Sequence, residues 1–307
     1  MTIEKINIGT RSSKLALWQA HQVKEALMGI FPQMTVNIIP LKTKGDAVLD
    51  VALSKIGDKG LFTLEIENAL LKGEIDIAVH SLKDLPTILP GGLTLGGVLP
   101  RGEVRDVLVS RDRRKLKDMN PGDRIGTSSL RRQAQILHYN PELKVVDIRG
   151  NVNTRLRKMY EGHCDALVMA GAGFIRLGLE SEITEYLDTD IMLPAVSQGA
   201  VAMEIRDDDA KVAQIVSEIT DEVTLQTTSA ERTFLQTIEG GCQVPVGCFS
   251  EIRGSTIRLT GIVASVDGCT LLKETMEGER ENAGIIAAEL ARKILAMGGK
   301  EILNGLR

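Results

Sequence analysis

Cysteine is sparse in this 307-residue chain: four residues, at 164, 242, 248 and 269, with no CxxC pair among them. That excludes a disulfide scaffold and fits a reducing compartment, with no metal site expected. No apolar run approaches the ~18–20 residues of a membrane span, and the opening residues MTIEKINIGT lack the apolar stretch of a secretory signal. The expectation is a soluble, cytoplasmic protein without a membrane partner. Neither a GxxxxGK(S/T) loop nor a GxGxxG turn occurs, so nucleotide-binding folds gain no support. Basic residues number 37 and acidic residues 41, a net charge of −4, which argues against a general nucleic-acid binder.

What is present is an ordinary globular composition, 43% apolar and 25% charged, long enough for two or three domains. Short β-branched runs alternate with amphipathic stretches, so the fold class is α/β. Strands are expected at 3–9, 34–42 and 75–81, with helices from Ser12 or Ser13 to Met28 and over 62–72; residues 43–60 read as a loop-bearing stretch. A second unit begins near 105, with strands at 106–110, 123–128, 144–149 and 165–170 and helices at 129–138 and 151–162. One more strand falls at 200–206. From about 220 the pattern changes to a helix over 222–238, short strands with turn signals, and a final helix over 281–297, which reads as a small α+β domain. Residues 8–16, IGTRSSKLA, are echoed by 125–134, IGTSSLRRQA. Each places backbone N–H groups, hydroxyls and arginine at a helix start, an arrangement that suits anions.

Positive charge is concentrated. Residues 124–176 hold nine basic and four acidic side chains, net +5, so the rest of the chain carries −9. Arg124, Lys144, Arg157 and Lys158 read as solvated surface charges. Arg131, Arg132, Arg149, Arg155 and Arg176 fall at element ends, where α/β sheets place ligands, and bidentate arginine suits carboxylate or phosphate. Charge alone does not separate those two ligands. In VHSLKDLP, Asp84 follows a buried strand beside Ser81 and Lys83; it reads equally as a turn cap and as a carboxylate facing a cationic group. His80 reads as a satisfied core histidine. Cys242, in EGGCQVP, is flanked by Gly240 and Gly241, which leave room for close approach to its sulfur. Cys164, Cys248 and Cys269 read as buried, inert thiols.

The segments IGTRSSKLALWQAH, ALSKIGDKGLFTLEIENALL, DIAVHSLKDLPT, GTSSLRRQAQ, IRGNVNTRLRK, LPAVSQGAVAMEIR and AERTFLQTIEGGCQVPVG, in that order, resemble the porphobilinogen deaminase family from about residue 3 to the end. The resemblance implies two periplasmic-binding-protein-like lobes, 1–99 plus 200–218 and 105–193, and a third small α+β domain, 220–307. It implies head-to-tail condensation of four porphobilinogen molecules, with release of ammonia and then hydroxymethylbilane. A dipyrromethane cofactor would be held as a thioether at Cys242, with Asp84 as the catalytic carboxylate. Arg11, Ser13, Lys83, Ser129, Arg131, Arg132, Arg149, Arg155 and Arg176 match the clamps for cofactor and substrate side chains, and Lys55, Lys59 and Phe62 match a lid loop. The resemblance also implies a monomer. One departure is visible: the family usually has glycine where this chain has Ser197. The rival reading is a two-lobed small-anion-binding protein without catalysis, which explains the arginines but not the setting of Cys242.

Overall fold

The computed structural model describes residues 4–43, 63–238 and 244–306. Lys55, Lys59, Phe62 and Cys242 lie outside the described residues. The chain divides into two compact units, Met1–Gly102 with Gly199–Gln226, and Glu103–Gln198 with Thr227–Arg307.

The first unit is built on a five-stranded sheet. Lys5–Arg11 lies parallel between Thr35–Leu41 and Ile77–Ser81. Val201–Arg206 then pairs antiparallel with Ile77–Ser81 on one side and Leu93–Val98 on the other. Alternation along each strand separates two faces. Ile6, Ile8, Ile77, Val79 and Met203 pack with Val23 and Leu27 of the helix Lys14–Ile30 and with Val212 and Val216 of Ala210–Ser217. Ile6 and Ile8 are fully buried, and each such side chain stabilises the fold by about 1.5–3 kcal/mol relative to exposure. Ala78 instead packs with Ile66, Ala69 and Leu70 of the helix Leu64–Leu71.

The second unit holds another five-stranded sheet with the same sequence of directions. Arg124–Gly126 lies parallel between Lys144–Val146 and Ala166–Ala170, and Asp106–Ser110 pairs antiparallel with Ala166–Ala170 and with Glu185–Tyr186. The unit also contains a three-stranded antiparallel sheet, Val246–Arg253, Thr256–Ala264 and Leu271–Glu279. Its core joins Cys248, Leu259 and Val263 to Phe234 of the helix Glu222–Thr237 and to Leu290 and Ile294 of Ala283–Ile294. The α/β class and the small third sheet are thus both present.

Two expectations need correction. The strand Leu93–Val98 and the helix Ala210–Ser217 do not appear in the sequence reading; LTLGGV carries two glycines, which weaken a strand signal. Cys269 is exposed, not buried. It sits in the turn between the last two strands, where its amide donates to Asp267 Oδ1 at 3.0 Å, so the apolar run CTLL begins on the surface.

Candidate functional site

The IGT segments end equivalent strands. A Cβ added at Gly9 would strike Ile75, and one at Gly126 would lie 2.8 Å from Cys164 Sγ and from Leu167 Cδ2. Glycine is therefore what lets each strand close against its neighbour. The chain then turns into a helix: Ser13 caps Lys14–Ile30, its hydroxyl accepting from the Ala16 amide at 3.3 Å, and Ser129 occupies the same position before Leu130–Tyr139 without a side-chain cap bond.

In the first unit, the strand Ile77–Ser81 runs directly into a single 3-10 turn, Leu82–Asp84. Leu82 is fully buried and its amide donates to the Ala200 carbonyl at 3.1 Å, so the turn is anchored from below while Asp84 is exposed and Lys83 half-buried. Gln19 donates to the Ser81 hydroxyl at 2.7 Å. Arg11 and Ser13, at the end of the neighbouring parallel strand, are half-buried. Behind the turn lie three buried titratable groups. His80 Nε2 is 3.1 Å from Glu204 Oε2, and Glu67 of the covering helix has its carboxyl raised by burial and by the charge of Glu204. His80 is thus a partnered core histidine, as expected.

In the second unit Arg131, Arg132, Arg149 and Arg155 lie near one another. Arg131 and Arg132 both reach Asp106, a fully buried carboxylate that the sequence reading passed over. Burial alone would raise the Asp106 carboxyl, but the two guanidinium groups hold it far below the usual carboxylate range. Arg131 Nη1 also donates to the Leu193 carbonyl at 2.6 Å. Arg149 is largely buried, its Nε 3.9 Å from Asp147 Oδ2. Arg155 Nε donates to the Gly150 carbonyl at 2.8 Å. Burial, reinforced by the like charges of Arg132 and Arg149 against the opposing charge of Asp147, brings the Arg155 guanidinium down to about 10, and burial brings Arg176 down to about 10 as well. The surface assignments separate from these: Arg157 is exposed and paired with Glu161, Arg124 with Asp165, and Lys144 is exposed. Lys158 departs from that group, because its ammonium donates to the Arg149 carbonyl at 3.2 Å and so braces the loop that carries Arg149.

Arg132 and Arg149 lie close enough to Arg155 to depress its guanidinium, and among the described residues Asp106, shared with Arg131, and the exposed Asp147 offset the cluster in part. The Nε of Arg132 is buried with no hydrogen-bond acceptor among the described residues. Buried cations in this state gain from an incoming carboxylate. The cluster therefore fits a ligand with several acid side chains, and pyrroles bearing acetate and propionate have that chemistry.

The porphobilinogen deaminase, dipyromethane cofactor binding domain matches residues 6–214, and the porphobilinogen deaminase, C-terminal domain matches residues 225–296. A porphobilinogen deaminase of Desulforamulus reducens is 48% identical over 303 residues, 99% of this chain and 98% of that protein. One from Pelotomaculum thermopropionicum is likewise 48% identical, covering 99% and 97%, and one from Syntrophomonas wolfei is 49% identical, covering 98% of each. Among solved structures, the methionine-binding protein MetQ aligns with a TM-score of 0.46 at 14% identity, over 75% of this chain and 95% of that one. The chain belongs to the porphobilinogen deaminase family.

Proposed function

We propose that this chain condenses porphobilinogen head to tail, releasing one ammonia per step and finally hydroxymethylbilane. The buried arginine cluster of the second unit carries the reading: it is built for acid side chains, and each added pyrrole brings an acetate and a propionate. Arg131, Arg132, Arg149, Arg155 and Arg176, with Ser129 at a helix start, would hold those groups and thereby set the rings in register. Arg11, Ser13 and Lys83 would do the same in the first unit. The dipyrromethane cofactor, joined to Cys242 as a thioether, supplies a primer whose terminal ring presents a free α-carbon.

Loss of ammonia leaves the substrate pyrrole with positive charge spread onto its nitrogen. Asp84 stands at the mouth of its turn, free of the core, with a rigid strand behind it. Its carboxylate would accept from the pyrrole N–H and stabilise that charge as it develops. It would also receive the proton that the attacking α-carbon of the primer gives up once its bond to the substrate methylene has formed. Asp84 is thus assigned the chemistry and the arginines the positioning. Lys55, Lys59 and Phe62 are assigned to a lid by their segment.

On this reading the lobe formed by 1–99 and 200–218 carries Asp84, residues 105–193 carry the arginine cluster, and 220–307 carry Cys242. The chain works as a monomer in the cytoplasm. No described helix is long and apolar enough to cross a membrane. The test is incubation with porphobilinogen: one ammonia released per porphobilinogen consumed, with a linear tetrapyrrole as product, supports the proposal. Tight binding of porphobilinogen without ammonia would favour the anion-binding alternative.

A further inference from the structure

The chemistry above makes no use of Asp106. It opens the strand Asp106–Ser110 and is fully buried. Its Oδ2 lies 2.8 Å from Arg131 Nη2. Its Oδ1 accepts from Arg132 Nη2 at 2.8 Å and from Gln198 Nε2 at 3.0 Å. Gln198 is itself fixed, donating to the Val104 carbonyl at 2.7 Å. Arg131 and Arg132 are consecutive residues of one helix, and consecutive helical side chains diverge. Here both bend to a single carboxylate. Without it, two adjacent buried cations would repel and one would turn away toward water.

We propose that Asp106 is a positioning residue for the acid side chains of the substrate, gripping Arg131 and Arg132 so that the buried Nε of Arg132 is left over for a ligand carboxylate. The geometry is specific. One terminal nitrogen of Arg132, Nη2, is spent on Asp106, and its Nε has no acceptor among the described residues. Asp106 also limits the charge: it cancels one of the two cations, so the pair presents a net single positive charge. A growing chain is held by such a pair without being trapped. The inference rests on the proposed function for the identity of the ligand, but not for the grip itself.

The test compares wild type with Asp106→Asn, which keeps the shape and removes the charge. Three quantities are read: KM and kcat for ammonia release, the fraction of apoprotein that acquires a dipyrrole adduct on incubation with porphobilinogen, and the Kd for succinate as a two-carboxylate probe. Mispositioning on this scale costs roughly tenfold or more. The expected result is a KM raised about tenfold with kcat within about threefold, slower adduct formation, and about tenfold weaker succinate binding. A folded variant with wild-type KM and succinate affinity overturns the proposal, as does one that binds succinate more tightly. Should Asp106→Asn fail to fold, Gln198→Met removes the neutral donor to Asp106, along with its bond to the Val104 carbonyl, and leaves the carboxylate charge in place; a KM raised several-fold is expected there, and an unchanged one contradicts the grip. Wild type that binds succinate but releases no ammonia would sink the proposed function while leaving the succinate comparison to decide on Asp106.

Discussion

The amide of Ser197, a residue with a left-handed backbone at φ 61°, donates to Glu231 Oε2 at 2.7 Å. Glu231 is fully buried, and its other oxygen accepts from the amide and hydroxyl of Ser250 at 2.9 and 3.0 Å. The carboxylate thus pins the turn before Gln198 and Gly199 to the edge of the three-stranded sheet.

A non-glycine residue at this φ costs about 1 kcal/mol, and the Ser197 hydroxyl is buried without a partner among the described residues. Ser197→Gly, the residue usual in the family, keeps the amide bond to Glu231. It should stabilise the protein by about 1 kcal/mol, a rise of roughly 1–3 °C in Tm. A calorimetric scan that shows a lower Tm would mean that the hydroxyl has a partner of its own.

Asp84→Asn should preserve the fold, because Asp84 is exposed and the turn hangs on Leu82 and Ala200. Turnover should fall by about 10²-fold or more, the usual consequence of losing one preorganised electrostatic partner. Near-normal ammonia release would remove Asp84 from the chemistry.

Arg155 and Arg157 sit on one helix, Val152–Tyr160, but only Arg155 belongs to the buried cluster. Arg155→Leu should impair adduct formation or chain growth by about tenfold or more. Arg157→Leu loses an exposed i,i+4 pair of about 0.3–0.5 kcal/mol and should leave both unchanged. Equal defects in steady-state assays would contradict the division between cluster and surface.

Glu67 gives a pH signature. Its carboxyl is raised in the folded protein, chiefly by burial. A group whose pKa is raised by folding adds stability at pH values below its unfolded pKa, and that contribution disappears as pH rises through the folded pKa. Glu67→Gln removes the charge that is costly at neutral pH. The Tm of the variant relative to wild type should therefore improve between pH 4 and pH 8. A difference that stays constant or worsens over that range would assign Glu67 an ionised partner in the fold.

Much of this architecture is written locally in the sequence. IGTRSS and IGTSSL announce strand, close-packed glycine and helix start, and Gly9 and Gly126 are each hemmed in by a neighbour's side chain. The run IDIAVHS gives a buried strand because its apolar residues serve two covered faces. Arginines at element ends mark the proposed anion site for the same local reason. Asp106 was not legible, because DVLVS reads as a strand with one polar end, and nothing within it points to Arg131 and Arg132 some 26 residues on. Nor was the pairing of Val201–Arg206 between Ile77–Ser81 and Leu93–Val98. Such pairings are long-range, and periodicity carries no information about them.

The central claim is a covalent primer on Cys242, and the intact mass of the denatured protein tests it most directly. After incubation with porphobilinogen, wild type should exceed the chain mass by two linked pyrrole units, and Cys242→Ser should show the bare chain. A bare wild-type chain after that incubation, or an adduct that persists in Cys242→Ser, would contradict the account.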